Sequence, residues 1–212
     1  MSTEIRKPII QKSSLKEMAV VEGDDAFTFD SVILKEPSFE GLEIDELTFT
    51  TAIAEGSVLR SAKVGDVTMV DAVLLKNDFS GAVFNNTTLE RVEIEKSRIQ
   101  GVQCMNAKWK DVVIKNSKCT HSSFRFATMK NVVFVDCDCT ESDFQGAALE
   151  NVVFQNCTLK DASFYSTKLT NLNLVTSNIE GIKINKESFV KVIVNSSQAL
   201  YLSSIFGMVV EG

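Results

Sequence analysis

From Phe29 to Val194 every fifth residue of the chain is apolar, without a break in register. The series opens Phe29, Leu34, Phe39, Ile44, Phe49 and closes Ile179, Ile184, Phe189, Val194. In a sequence that is 44% hydrophobic, chance gives a run of that length with a probability on the order of 10⁻¹². A period of five fits neither a helix, which repeats every 3.6 residues, nor a strand, which repeats every two. The chain must therefore turn a corner every five residues.

Positions two before the series are also mostly small or apolar, as at Ala52, Ala62, Val67, Ala72, Val92, Val112, Val132 and Val152, while the residues between are largely polar. Inward, outward, inward is the alternation of a short strand. Positions two after the series hold Gly41, Gly56, Gly81, Gly101, Gly146 and Gly181, together with Asp66, Asp71, Asn106, Asp111, Asn116, Asn131, Asn151 and Asn171. Gly, Asn and Asp tolerate positive φ, so core and corner agree on one register.

A second period lies above the first. Arg91-Val-Glu-Ile, Asp111-Val-Val-Ile, Asn131-Val-Val-Phe, Asn151-Val-Val-Phe and Asn171-Leu-Asn-Leu recur every 20 residues. Twenty is four fives, so each coil closes a square and stacks on the last, making a rod about 40 Å long. This pattern resembles the pentapeptide-repeat family over about residues 27–195. The resemblance implies an all-β fold, a right-handed quadrilateral β-helix, with a short C-terminal α-helix as cap. Three segments follow: an N-terminal cap (1–26), the β-helix (27–195), and a C-terminal helix and strand (196–212). Pro37, Asn77 and Glu187 depart from the pattern at inward small-residue sites. Pro37 lacks a donor and predicts a local irregularity, and Glu187 marks where the stack opens to its cap.

Both ends of such a stack need covering. Asn195-Ser-Ser-Gln198 reads as a capping box, Ala199, Leu202, Ile205 and Phe206 fall on one helical face, and Gly207 ends the helix. Met208-Val209-Val210 reads as an extended strand. Near the N-terminus, Ser14-Leu-Lys-Glu17 could cap a short helix, and Ile9-Ile10 or residues 18–21 could form a covering strand. The tail, and Ser123-Phe-Arg-Phe-Ala127, are similar to the quinolone-resistance (Qnr-type), gyrase-protecting branch of the family. That resemblance implies a tail-to-tail homodimer, with Gln198, Ala199, Leu202, Ile205, Phe206 and Met208 at the interface.

Catalytic signals are few. The lone His121 falls in the corner column, facing water, with no partner implied by its spacing. The five cysteines read as small buried hydrophobes. Cys119 with Cys139, and Cys137 with Cys157, would stack one strand spacing apart, close enough to oxidise, although a reducing cytosol keeps them thiols. Cys137-Asp-Cys139 points inward and lacks a second ligand pair at zinc spacing. No glycine-rich phosphate loop or nucleophile elbow appears. These residues predict a protein that is not an enzyme, with no cofactor and no metal. Lys108, Lys110, Lys115, Lys118, Arg125 and Lys130 would spread over several faces as solvated charge, so no direct nucleic-acid binding is expected, and Phe126 is the one aromatic expected to be exposed beside them. No apolar run is long enough to span a membrane and no signal peptide opens the chain, which predicts a cytoplasmic protein.

Charge is uneven. Residues 1–100 hold 11 Lys/Arg against 18 Asp/Glu, and the net charge of the whole chain is −6. Asp30, Glu36, Glu40, Glu43, Asp45 and Glu46 form the candidate acidic partner face, suited to basic surfaces. The resemblance implies a DNA-mimicking rod that binds DNA gyrase or topoisomerase IV and protects it from quinolones or toxins. The alternative is a protein-interaction scaffold unrelated to gyrase.

Overall fold

The computed structural model describes residues 5–18, 25–186 and 192–209. The described strands are β1 (Lys16–Met18), β2 (Ala26–Asp30), β3 (Val32–Lys35), β4 (Glu43–Glu55), β5 (Lys63–Leu75), β6 (Val83–Glu95), β7 (Lys108–Lys115), β8 (Thr128–Val135), β9 (Ala148–Gln155) and β10 (Lys168–Thr170), followed by α1 (Ser196–Ile205). From β2 onward every pairing is parallel and joins residue i to i+20, as in Leu47↔Val67, Val92↔Val112 and Phe134↔Phe154. The molecule is a parallel β-solenoid of about seven turns, nearly all β, with one short C-terminal helix. Each coil has four sides, named here by their first inward residues Phe29, Leu34, Phe39 and Ile44. Single bridges such as Val58↔Asp78 and Gln103↔Ser123 continue the ladder where the sides are too short for strands.

Every described member of the five-residue series from Phe29 to Ile184 is buried. The aromatic core is ordered by the stacking of coils. Phe124, Phe144 and Phe164 lie face to face at 5.1 and 4.9 Å on one side, and Phe134 and Phe154 at 4.7 Å on another. The two columns meet edge-on, Phe144 against Phe154 at 5.6 Å and 79°. Offset stacking within a column and edge contacts between columns are both favoured by the ring quadrupole. Around Trp109 the packing loosens into a cavity of about 40 Å³, lined among others by Met69, Phe84, Leu89 and Cys104, and the buried Trp109 Nε1 has no hydrogen-bond partner.

Apart from Gly207, every described residue of positive φ lies in the corner column, from Ser31 (55°) to Gly181 (68°). Not every described residue of that column turns left-handed, and one corner is flattened over three successive coils. Glu46, Asp66 and Asn86 stay extended inside β4, β5 and β6, so Asp66 does not make the left-handed turn its residue type allows. At this flattened corner Gly65 is forced by crowding: a Cβ there would stand 2.7 Å from the Asp45 carbonyl oxygen of the preceding coil.

An inner polar ladder runs up the column that contains Pro37. The Ser57 amide donates to Asn77 Oδ1 (2.7 Å), the Asn77 amide to Ser97 Oγ (3.1 Å) and the Ser97 amide to Ser117 Oγ (3.1 Å). Asn77 Nδ2 also donates to the Ala54 carbonyl at 3.2 Å, which explains how an amide side chain is tolerated in the core. By this rule Ser57 Oγ should accept from residue 37. Residue 37 is proline, and Ser57 Oγ is buried without a partner. The irregularity expected at Pro37 is therefore one orphaned hydroxyl, while the coil itself continues, with Val58 donating to the Pro37 carbonyl at 2.9 Å.

At the C-terminal end Asn195 caps α1 through a complete capping box with Gln198. Gly207 (φ 75°) closes it, its amide donating to Ser204 O and that of Met208 to Ser203 O, which is a Schellman motif. Met208 and Val209 join no strand, contrary to the extended strand expected there; Val210 and Glu187 lie outside the described residues.

The N-terminus also differs from a simple lid. No helix starts at Ser14: Lys12–Ser14 is a 3-10 turn, and Lys16–Met18, where a helix capped by Ser14 would run, is strand β1, which pairs with β3 to cover one edge of the first coil. Residues 19–21, part of the expected covering strand, lie outside the described residues. Upstream of β1 the chain runs along the rod: Arg6 meets Asp111, Ile9 meets Asp71, and Lys16 meets Ser31.

Candidate functional site

The sequence-predicted acidic face is not one face. Asp30, Glu36, Glu40, Glu43, Asp45 and Glu46 are all exposed, but they sit in turn around successive sides of the first coil, because residues five apart lie on adjacent sides. They form a ring at the N-terminal end of the rod. Two are paired with the next coil, Glu40 with Arg60 Nε at 3.4 Å and Glu43 with Lys63 Nζ at 2.8 Å. A hydrogen bond from Lys63 holds the Glu43 carboxyl below its ordinary range. A continuous row of free carboxylates along the axis does not arise from these residues.

The C-terminal candidates divide into two groups. Gln198 and Leu202 face the last coil and are buried. Gln198 Nε2 donates to the Leu174 and Ser177 carbonyls at 2.7 and 2.8 Å, while its Oε1 accepts from the Asn195 amide at 2.9 Å. Both residues hold the cap in place and are not free to form an interface. The Tyr201 hydroxyl adds a bond from the Gly181 amide at 2.7 Å. Ala199, Ile205 and Met208 are exposed and Phe206 is half-buried, beside an exposed Leu200 that the helical-face reading passed over.

His121 has a partner after all. Its Nδ1 lies 3.4 Å from Glu141 Oε2, one coil above, with both side chains about half exposed. The twenty-residue repeat would have found this pair. All five cysteines are buried and free. Burial pushes the Cys104 thiol up to about 12. Hydrogen bonding to Cys137 and Cys139, together with burial, holds the Cys119 thiol well above its ordinary value. Thiols in that state are poor nucleophiles. Among the described residues no group of three or more His, Cys, Asp or Glu side chains could hold a metal ion.

The basic residues scatter as expected. Lys130 pairs with Glu150 (2.7 Å), Lys115 approaches Glu93 (3.9 Å) and Arg125 approaches Asp143 (3.5 Å). Phe126 is 53% exposed, with the Arg125 guanidinium 5.6 Å from its ring centre. Tyr165, 45% exposed, is a second surface aromatic that the sequence reading missed.

The most continuous surface feature was also missed. On the Leu34 side, Ile33, Ile53, Val73, Val113, Val133 and Val153 point outward in one in-register column that only Glu93 interrupts. All are half-buried by their neighbours. The column spans about 30 Å at one strand spacing per coil. Period-two alternation assigns these positions to solvent, so only a comparison at period 20 reveals that they are apolar together.

Residues 107–185 match a family model described as a pentapeptide repeat region. No curated protein sequence matches the chain. Among solved structures, a trypsin-treated variant of QnrB1, a plasmid-mediated fluoroquinolone resistance protein, is similar at 18% identity, covering 92% of this chain and 95% of that one with a TM-score of 0.47. HetL, a pentapeptide repeat protein involved in heterocyst differentiation regulation from the cyanobacterium Nostoc sp., is similar at 14% identity, covering 81% and 90% with a TM-score of 0.31. Within the matched residues Asp111, Asn116, His121 and Phe126 all turn at positive φ. The coils with the flattened corner precede them. Among the described residues no helix is long and apolar enough to cross a membrane.

Proposed function

We propose that the chain is a non-catalytic, protein-binding rod whose contact surface is the Ile/Val column on the Leu34 side. The observation that carries this reading is that in-register apolar column, continuous along one side of the rod apart from Glu93. Contiguous apolar residues at a surface mark interaction sites, even where each is half-buried by its neighbours, whereas isolated ones do not. The side chains are β-branched and stiff, so docking a flat partner onto them costs little side-chain entropy. The test is affinity capture with the wild-type chain and with a Val113→Lys/Val133→Lys variant as baits. A specific partner held by the wild type and lost by the variant, at a closely similar melting temperature, supports the reading; equal capture by both removes it.

The finer reading is a DNA-mimicking homodimer that binds gyrase or topoisomerase IV. One observation favours it: the capped helix leaves Ala199, Leu200, Ile205 and Met208 exposed, with Phe206 half-buried against the core beside them, where a second rod could meet it tail to tail. The acidic ring lies at the opposite end of the rod, so carboxylates would be richest at the tips of such a dimer and sparse at its centre. Mimicry of a duplex needs charge along the whole path. A supercoiling assay with gyrase and ciprofloxacin discriminates: neither protection nor inhibition at micromolar protein eliminates the gyrase reading and leaves the protein-binding rod standing.

A further inference from the structure

Residues 5–10 lie against the outside of the solenoid without joining its ladder. Their attachment is made by side chains at one corner. Arg6 Nε donates to Asp111 Oδ2 at 2.7 Å, Arg6 Nη2 lies 2.6 Å from the same oxygen and 3.4 Å from Glu90 Oε1, and the Ile9 amide donates to Asp71 Oδ1 at 2.8 Å. The receiving side is built independently of this occupant. Arg91 grips Asp71 through two bonds of 2.7 and 2.8 Å and also contacts Glu90. Asn131 Nδ2 donates to Asp111 Oδ1 at 3.1 Å, and Asn151 and Asn171 extend the same ladder upward. The asymmetry of burial is marked: the Asp111 side chain is 1% exposed, whereas that of Arg6 is 54% exposed. The acceptor belongs to the scaffold and the donor sits on its surface.

We propose that the Asp71–Glu90–Asp111 corner is a docking site for an extended, arginine-bearing peptide, and that residues 5–10 are its resident, exchangeable occupant. The chemistry of the ligand is visible in that occupant: a guanidinium for Asp111 and Glu90, then, three residues on, a backbone N–H for Asp71. Pro8 keeps Lys7 extended, so the segment docks with little ordering cost. Releasing it breaks a few side-chain bonds and none of the strand ladder, which places the opening at the low-energy end of native fluctuations. A partner segment with the same spacing would compete for the same carboxylates. This site lies at the corner bordering the Leu34 side, with Asp71 and Asp111 two residues before Val73 and Val113, but it is built of carboxylates and does not depend on the function proposed above.

The experiment uses the full chain, its Arg6→Ala variant and an Arg6→Ala/Asp111→Asn variant, each titrated with a fluorescent synthetic peptide of residues 4–12. The Arg6→Ala chain, its own occupant weakened, should bind the peptide at least tenfold more tightly than the wild type, and adding Asp111→Asn should abolish the gain. Hydrogen exchange supplies the control: in Arg6→Ala the Ile9 amide should exchange at least tenfold faster while the amides of β5, β6 and β7 keep their protection. Equal peptide binding by all three chains, or an Ile9 amide unaffected by Arg6→Ala, overturns the proposal.

Discussion

At the scale of single residues the inner ladder offers a controlled comparison. Ser57 and Ser97 occupy the same inward site two coils apart and are both buried. Ser97 Oγ accepts from the Asn77 amide and donates to the Glu95 carbonyl at 3.0 Å, whereas Ser57 Oγ has no partner because residue 37 is proline. Removing a paired buried hydroxyl strands a backbone donor and costs about 1–3 kcal/mol, whereas removing an unpaired one relieves a desolvated polar atom. Ser97→Ala should therefore lower stability by about 2 kcal/mol in urea denaturation, and Ser57→Ala should leave it within about 0.5 kcal/mol or raise it. Pro37 and Asn77 were legible in the sequence as departures from the small-residue pattern. What they do to their neighbours was not, because the amide-to-hydroxyl relay appears only when residues twenty apart are stacked.

At the scale of elements, reading is most successful where one signal decides. The capping box at Asn195 and Gln198 and the stop at Gly207 were correct because caps are local chemistry. Which helical face looks outward is a tertiary question, and there Gln198 and Leu202 proved to be inward anchors. The flattened corner at Glu46, Asp66 and Asn86 was invisible for a related reason: residue type permits a left-handed turn without compelling one. Gln198 itself carries a prediction. Its buried side chain makes three hydrogen bonds, accepting from the N-cap amide and donating to two carbonyls of the last coil. Gln198→Ala strands all three and should cost about 2–4 kcal/mol. Because α1 covers the end of the stack, hydrogen exchange should locate the loss in the last coil and α1, leaving β4 to β6 unchanged.

At the scale of the whole molecule the corner ladder alters how a solenoid should fail. Each coil of a repeat protein touches only its neighbours, so stability is mostly a sum of local terms and ends fray independently. Arg6 breaks that locality by joining the segment that leads into β1, at the first coil, to Asp111 several coils away. The latch is sensitive to acid. The Arg91 guanidinium holds the Asp71 carboxyl below its ordinary value. Burial pushes Asp111 upward, but hydrogen bonds from Arg6 and Asn131 outweigh it and leave that carboxyl lowered as well. A carboxyl whose folded pKa lies below its unfolded value, about 3.9 for Asp, stabilises the fold at higher pH, and the contribution is lost as pH falls through the folded value. The wild-type melting temperature should accordingly hold between pH 7 and about pH 5 and decline below about pH 4. Asp111→Asn should lower it at pH 7 by roughly 5 °C, with the gap to wild type narrowing towards pH 3, where Asp111 is itself protonated. If the gap instead stays constant with pH, the charge on Asp111 contributes nothing and the ladder stabilises only through its neutral hydrogen bonds.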